Sequence, residues 1–361
     1  MATKSPDSES LFRPHRVLIT RFSAIGDVAM TIPVVYSVAR SNPDVQFLMV
    51  TRPSMATMFL NAPENLRVRG VDLNSPQYRG AGGLVTLYRE LQSDFAFDAV
   101  ADLHSVIRTM VIDLLSWFHR IPVSRINKER SRKRALTRRT NKIMLPLISQ
   151  RARYREVFHR LGLAVEEHFK SLFGDGKADP AAFASVTAPK PEGEKWVGIA
   201  PFAKHKGKIY PPELMEKVVE TLSHTGGIKI FLFGGGDDER AILGRWAQTY
   251  PGVTSLADKR HGFPLELALL SHLDVMLSMD SANMHLASIV GAPVISVWGA
   301  THPYCGFKGW KQQDTDTVQL SMTCRPCSVF GDKPCYRGDY HCLAGIAPQT
   351  IADKILRRIG K

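Results

Sequence analysis

Apolar, β-branched runs recur along this chain, each feeding a polar turn and then a stretch with apolar residues at helical spacing. Residues 16–20 (RVLIT), 45–50 (VQFLMV) and 99–103 (AVADL) read as strands, with helices over 28–38, around 84–91 and over 110–118. The pattern restarts with a strand at 196–200, a helix at 213–224, a strand at 229–233 and a helix running through Trp246. A weaker unit at 264–270 leads into strand 273–279, helix 284–290 and strand 293–298. Strand and helix alternate throughout, which predicts α/β architecture with doubly wound parallel sheets and argues against a segregated α+β domain. Residues 1–13 read as a mobile polar tail.

The two series are separated by GDGKADPAAFASVTAPKPEGEK (174–195), rich in Gly, Pro, Ala and Lys and without sustained periodicity. Such composition predicts a linker. The expected organisation is a Rossmann-like domain over 14–175, a linker over 176–195, a second Rossmann-like domain over 196–345 and a terminal segment over 346–361, the two domains facing each other across a cleft.

With 361 residues, 44% of them apolar and 22% charged, the chain can form two sizeable cores. No window reaches the roughly 18 apolar residues of a spanning helix, and MATKSPDSES lacks an apolar signal core, so a cytoplasmic protein is expected. Lys and Arg number 47 against 34 Asp and Glu, a net charge of +13 that calls for anionic partners. Residues 125–160 hold a dense run of Arg and Lys, which reads as a solvated surface or as a docking face for an anionic acceptor at a membrane. No nucleic-acid motif or aromatic stacking pattern accompanies the charge, and no nucleic-acid partner is expected.

Several turns carry candidate chemistry. Asp280, Ser281, Ala282 and Asn283 lie between a strand and a helix that Gly291 and Pro293 terminate. Small polar residues there leave the first-turn N–H groups able to face an anion, with Asp280, Ser281 and His285 beside them, although an ordinary capped helix has the same spacing. In the first turn of the chain, Gly26 permits a tight bend and Asp27 falls at a helix start, where a carboxylate also suits the helix dipole. His104, Ser105 and Arg108 follow a strand at the end where open parallel sheets bind ligands. Lys204, Lys206 and Lys208 follow another, placed to neutralise a diphosphate. Gly234, Gly235 and Gly236 precede Asp237, as a ribose-contacting turn requires, but the G-x-G-x-x-G fingerprint is absent. Cys324, Cys327, Cys335 and Cys342 crowd into one Gly- and Pro-containing loop, open to a structural metal, to pairing or to reduced thiols.

Taken together, VLITRFSAIGDVAMTIPVV, APFAKHKGKIYPPE, GGGDDE and SMDSANMHLASIVGAPVISVWGATHP resemble the bacterial heptosyltransferases, glycosyltransferase family 9, in the same order and over nearly the whole chain. The resemblance implies a GT-B fold, with an N-terminal acceptor domain, a C-terminal nucleotide-sugar domain and a final helix (347–359) packing back toward the first. It implies that Asp27 is the catalytic base and that Lys208 contacts the donor phosphates. Asp280, Ser281, Ala282 and His285 would surround the donor pyrophosphate and sugar, Asp237 would hold the ribose, and Arg108 with Ser23 would face the acceptor. The implied reaction is inverting transfer from a nucleotide sugar, ADP-heptose, to a lipopolysaccharide-type anionic acceptor at the inner membrane surface, with neither cofactor nor metal. The chain departs from the family in Ala282, where Gly is common, and in Ala203 and Lys204, where Ser or Thr is common. The competing readings are a GT-B enzyme for a UDP- or GDP-linked sugar and a non-catalytic polyanion-binding protein.

Overall fold

A computed structural model describes residues 13–361; all but the last residue of the expected tail lies outside the described residues. In chain order the first half runs β1 (Arg16–Thr20), α1 (Ile25–Ala29), α2 (Ile32–Ser41), β2 (Gln46–Thr51), α3 (Pro53–Ala56), β3 (Leu66–Gly70), α4 (Gly80–Phe95), β4 (Ala99–Asp102), α5 (Ile107–Phe118), β5 (Val123–Arg125), α6 (Arg130–Thr137) and α7 (Gln150–His159). The second half runs β6 (Lys195–Ala200), α8 (Pro212–Ser223), β7 (Ile228–Leu232), α9 (Asp237–Thr249), β8 (Val253–Ser255), α10 (Phe263–Leu270), β9 (Val275–Met279), α11 (Ala282–Ile289), β10 (Val294–Val297), β11 (Thr317–Val318), α12 (His341–Ala344) and α13 (Pro348–Ile359).

The strands form two wholly parallel sheets, ordered β3-β2-β1-β4-β5 and β11-β10-β9-β6-β7-β8. Counted from its own first strand, each sheet grows outward in one direction and then restarts beside that strand in the other. This is the doubly wound order, and the reversal falls between β1 and β4 in one sheet and between β6 and β9 in the other. Val17, Leu18 and Ile19 of β1, and every residue of β9, are buried, as central strands covered on both faces should be. Among the described residues no helix is long and apolar enough to cross a membrane.

Contacts divide the chain into two compact units. Among the described residues, one comprises 13–23, 34–127 and 151–169; the other comprises 24–33, 128–150 and 170–361. The first is built on a core that includes Leu18, Phe22, Leu48, Leu87, Phe97 and Ile112. The second is built on one that includes Ile199, Val218, Trp246, Leu277, Ile295 and Ile355. Residues 24–33 and 128–150 fall inside the stretch expected to be the first domain, yet they group with the second. Leu147 and Gln150 explain part of this, donating backbone N–H groups to the carbonyls of Tyr304 (2.9 Å) and Gly306 (2.9 Å).

Two further expectations are corrected. The helix expected over 28–38 is two helices, because Pro33 has no N–H to give and its ring would clash with the preceding turn; α2 starts afresh around it. The stretch expected to be a linker is packed: Phe183 is fully buried and its ring meets Trp196 and His272 edge-on, while Ala178 N–H bonds Ser271 Oγ at 3.1 Å. Within the second unit, α13 lies along α8, and its Ile351, Ala352, Ile355 and Ile359 belong to that unit's core.

Candidate active site

Two loops meet at the reversal point of the second sheet. The first leaves β6 and closes a tight turn at Lys206–Lys208; the second leaves β9 at Asp280 and enters α11. Ala200 of β6 is in register with Ser278 of β9, which brings the two exits side by side. Lys208 Nζ lies 3.0 Å from Asp280 Oδ2, and both side chains are largely withdrawn from solvent. An ion pair at this depth is strong only because both partners are present.

The turn that carries Lys208 is fixed from behind. Gly207 accepts a hydrogen bond from Ala300 N–H at 2.8 Å. A Cβ on Gly207 would fall 2.9 Å from both Ala300 Cβ and Gly331 O. Gly331, at φ +75°, makes room for the lysine itself, since a Cβ there would sit 2.5 Å from Lys208 Cγ. Of the other two lysines, Lys206 lies over the Tyr340 ring at 5.2 Å and Lys204 is exposed.

At the start of α11, Ser281 is the extended N-cap residue and its Oγ lies 3.2 Å from Ser278 Oγ. Its hydroxyl does not cap the helix, so the first-turn N–H groups keep their partial positive charge. Ala282 opens the helix and His285 is buried one turn on. The short α1 packs on this same turn. A Cβ on Gly26 would come 2.9 Å from His285 Cδ2 and 3.3 Å from Ala282 Cα, so only glycine lets the two backbones approach this closely. Asp27 follows directly, half-buried, with Ala24 N–H bonded to its Oδ2 at 3.4 Å. The structure therefore gathers Asp27, Lys208, Asp280, Ser281, Ala282 and His285 around one helix start.

Asp237 stands apart from that group. Its side chain is 96% exposed at the N-terminus of α9, 3.3 Å from Arg240 Nη1. Arg108 and Ser23, expected together at an acceptor, occupy different places in the first unit. Arg108 opens onto a hollow of about 660 Å³ shared with Tyr78, Arg79, Leu84 and Ile107. Ser23 Oγ lies 3.3 Å from His104 Nε2, at the first sheet's own reversal point, and His104 Nδ1 accepts Phe22 N–H at 3.4 Å. That pattern leaves the proton on Nε2, facing Ser23.

Asp102 organises this second cluster, and nothing in the hydrophobic pattern singled it out. One carboxylate oxygen accepts from His104 N–H and Ser105 N–H, both at 2.8 Å, and from Thr20 Oγ1 at 3.1 Å; the other accepts from Thr109 Oγ1 at 2.9 Å. The available signal was an acid closing an otherwise apolar strand, AVAD. The basic run 125–160 is not one solvated surface either. Arg153 is buried, Lys133 lies over the rings of Phe307 (5.6 Å) and Phe330 (5.4 Å), and Lys142 Nζ donates to the carbonyls of Cys324 (2.6 Å) and Pro326 (3.0 Å).

The five cysteines are free thiols, and among the described residues no three His, Cys, Asp or Glu side chains are grouped as a metal site. Cys324, Cys327, Cys335 and Cys342 line one small hollow with Arg325. Burial pushes the Cys342 thiol up to about 11, and burial followed by the neighbouring Cys324 and Cys335 raises that of Cys327. Such thiols are held protonated and unreactive.

Two doubly wound parallel sheets, one with its charged groups at the reversal point, define the GT-B class, and solved structures of that class superimpose on the chain. E. coli heptosyltransferase WaaC with ADP matches with a TM-score of 0.64 at 18% identity, covering 95% of this chain and 99% of that one. A glycosyltransferase family 9 protein from Veillonella parvula matches with a TM-score of 0.72 at 15% identity, covering 96% and 97%. In sequence, lipopolysaccharide heptosyltransferase 1 of Pseudomonas aeruginosa is 24% identical over 325 residues, 86% of each chain. The model of glycosyltransferase family 9 (heptosyltransferase) matches residues 87–335, and the chain belongs to that family. It is a glycosyltransferase.

Proposed function

We propose that this glycosyltransferase moves a heptose from ADP-heptose to an anionic, lipopolysaccharide-core type acceptor, with inversion at the anomeric carbon. The observation that supports this best is the convergence of Lys208, the α11 start and the Asp27 turn in one unit. The acceptor hydroxyl attacks the anomeric carbon from the face opposite the leaving diphosphate, and Asp27 accepts its proton as the new C–O bond forms. The glycosidic oxygen of the donor departs with the bonding pair as ADP. Its growing negative charge is met by the Lys208 ammonium and the free N–H groups after Ser281, two fixed positive ends that need not reorganise. These supply the charge stabilisation without a divalent metal, so chelator should leave the rate unchanged. Asp280 holds the ammonium in position before the donor arrives, and Ala282 and His285 shape the first turn for the diphosphate.

In this reading Asp237 moves to the ribose hydroxyls when nucleotide binds, and Arg108 and Ser23 contact the acceptor from the first unit. The enzyme works in the cytoplasm against the inner membrane surface, where the cationic excess favours an anionic acceptor. The deciding experiment is calorimetric titration of the protein with ADP, UDP and GDP, for wild type and Lys208→Ala. ADP should bind in preference to the other two, and the variant should bind it roughly thirtyfold more weakly, the equivalent of about 2 kcal/mol for a lost charged hydrogen bond. A preference for UDP or GDP would keep the fold and change the donor, and silence with all three would end the nucleotide-sugar reading.

A further inference from the structure

Helix α5 is turned inside out. Its buried face carries Thr109, Ile112, Asp113 and Ser116, while Ile107, Met110, Leu114, Trp117 and Phe118 face solvent. At about 100° per residue those five fall on one side of the helix, as a continuous stripe roughly 16 Å long. The exposure is not marginal: Ile107 is 82%, Trp117 67% and Phe118 65% accessible. A soluble surface helix normally shows the opposite pattern, and a contiguous apolar stripe of this kind marks a surface that something covers.

The charges around the stripe say what. The only acid in α5, Asp113, is buried, and burial together with the nearby Asp102 carboxylate pushes its pKa up to about 8 despite the Arg125 guanidinium. The exposed face of the helix therefore carries no carboxylate. Arg108 stands exposed at its first turn, Arg120 just beyond its end, and Arg79 across the hollow that adjoins it. A second copy of this face would bring like charges together. An anionic bilayer would accept the apolar stripe among its acyl chains and the flanking cations among its headgroups. Trp117 and Phe118 would then sit at the boundary, where aromatic rings are favoured.

We propose that α5 is a membrane-docking helix, lying flat in the interface of an anionic lipid surface, and that it brings the hollow containing Arg79 and Arg108 to the level of lipid phosphates. This gives a purpose to the reading of a lipid-linked acceptor and rests on that reading only for the purpose, since docking itself needs no sugar transfer.

The test uses the full-length protein with phosphatidylcholine vesicles, with and without phosphatidylglycerol. Trp196, Trp246 and Trp298 are fully buried, and Trp310 is half-buried in the second unit, so the part of any emission change that Trp117→Tyr removes is the part that Trp117 reports. Anionic vesicles should co-sediment the protein and shift its emission to the blue, neutral vesicles much less, and added salt should weaken both effects. Leu114→Ser should reduce partitioning about tenfold and Trp117→Tyr should remove most of the emission shift while sparing sedimentation. ADP titration of both variants should be unchanged, which separates failure of docking from failure of the glycosyltransferase reading. Equal partitioning of Leu114→Ser and wild type would overturn the proposal. So would a concentration-dependent dimer in light scattering that Leu114→Ser abolishes, because the stripe would then belong to a second copy.

Discussion

Lys208 reaches Asp280 because two positions near it have no side chain. Gly331 leaves space for its methylenes, and Gly207 lets the turn press against Ala300. Three lysines in five residues offered the sequence no way to choose among them; the choice is made by a glycine more than a hundred positions away. Asp280, Ser281 and His285, by contrast, were legible because strand, turn and helix lie consecutively. Asp27 needs a finer test, since a carboxylate in a helix's first turn is stabilising whether or not it is catalytic. Asp27→Asn keeps the shape and the acceptor oxygen for Ala24 N–H while removing the basicity. If Asp27 takes the acceptor proton, kcat falls about 10²- to 10⁴-fold while the ADP affinity stays within about twofold. If Asp27 only caps the helix, steady-state kinetics will show an unchanged kcat and thermal unfolding a small loss of stability.

Elements were legible in proportion to their burial. The central strands β1, β2, β4, β6, β7, β9 and β10 stand out as apolar runs because both faces are covered. The four strands that the hydrophobic pattern missed, β3, β5, β8 and β11, are the four sheet edges. Two of them show why: LRVRG and VTS are short and partly exposed, so half their residues need not be apolar. The supposed linker failed for a related reason. Its composition is that of a tether, but one aromatic residue anchors it: Phe183, buried against Trp196 and His272. Phe183→Ala should therefore cost about 3–5 kcal/mol in denaturant unfolding, the range for emptying a packed aromatic site, whereas in a free tether the same change costs next to nothing. Exposed Lys177 in the same stretch, changed to Ala, serves as the neutral comparison.

At the scale of the whole molecule, the two sheets follow one winding rule, and that much could be read from alternating strands and helices. The division of the chain could not. A left-to-right reading cuts it once, but contacts assign residues 24–33 to the unit that also holds 170–361, because Gly26 packs on the start of α11. The consequence is that Asp27, Lys208, Asp237, Asp280, Ser281 and His285 all belong to one unit with its own core, while Ser23 and Arg108 belong to the other. Ligand that binds only the folded form of a unit stabilises that unit by mass action, by about 2.7 kcal/mol at a hundred times its dissociation constant. Differential scanning calorimetry at that ADP concentration should therefore move the transition of the second unit upward by several degrees. The emission of Trp246 and Trp298, both in that unit's range, should follow the shifted transition, while Trp117 in the first unit reports one that moves little. Lys208→Ala, bound thirtyfold more weakly, should show only about a third of that stabilisation at the same ADP concentration, roughly 0.9 kcal/mol. An ADP-dependent shift confined to the transition that Trp117 reports would place the nucleotide in the wrong unit and remove the basis for assigning the donor to Lys208 and the α11 start.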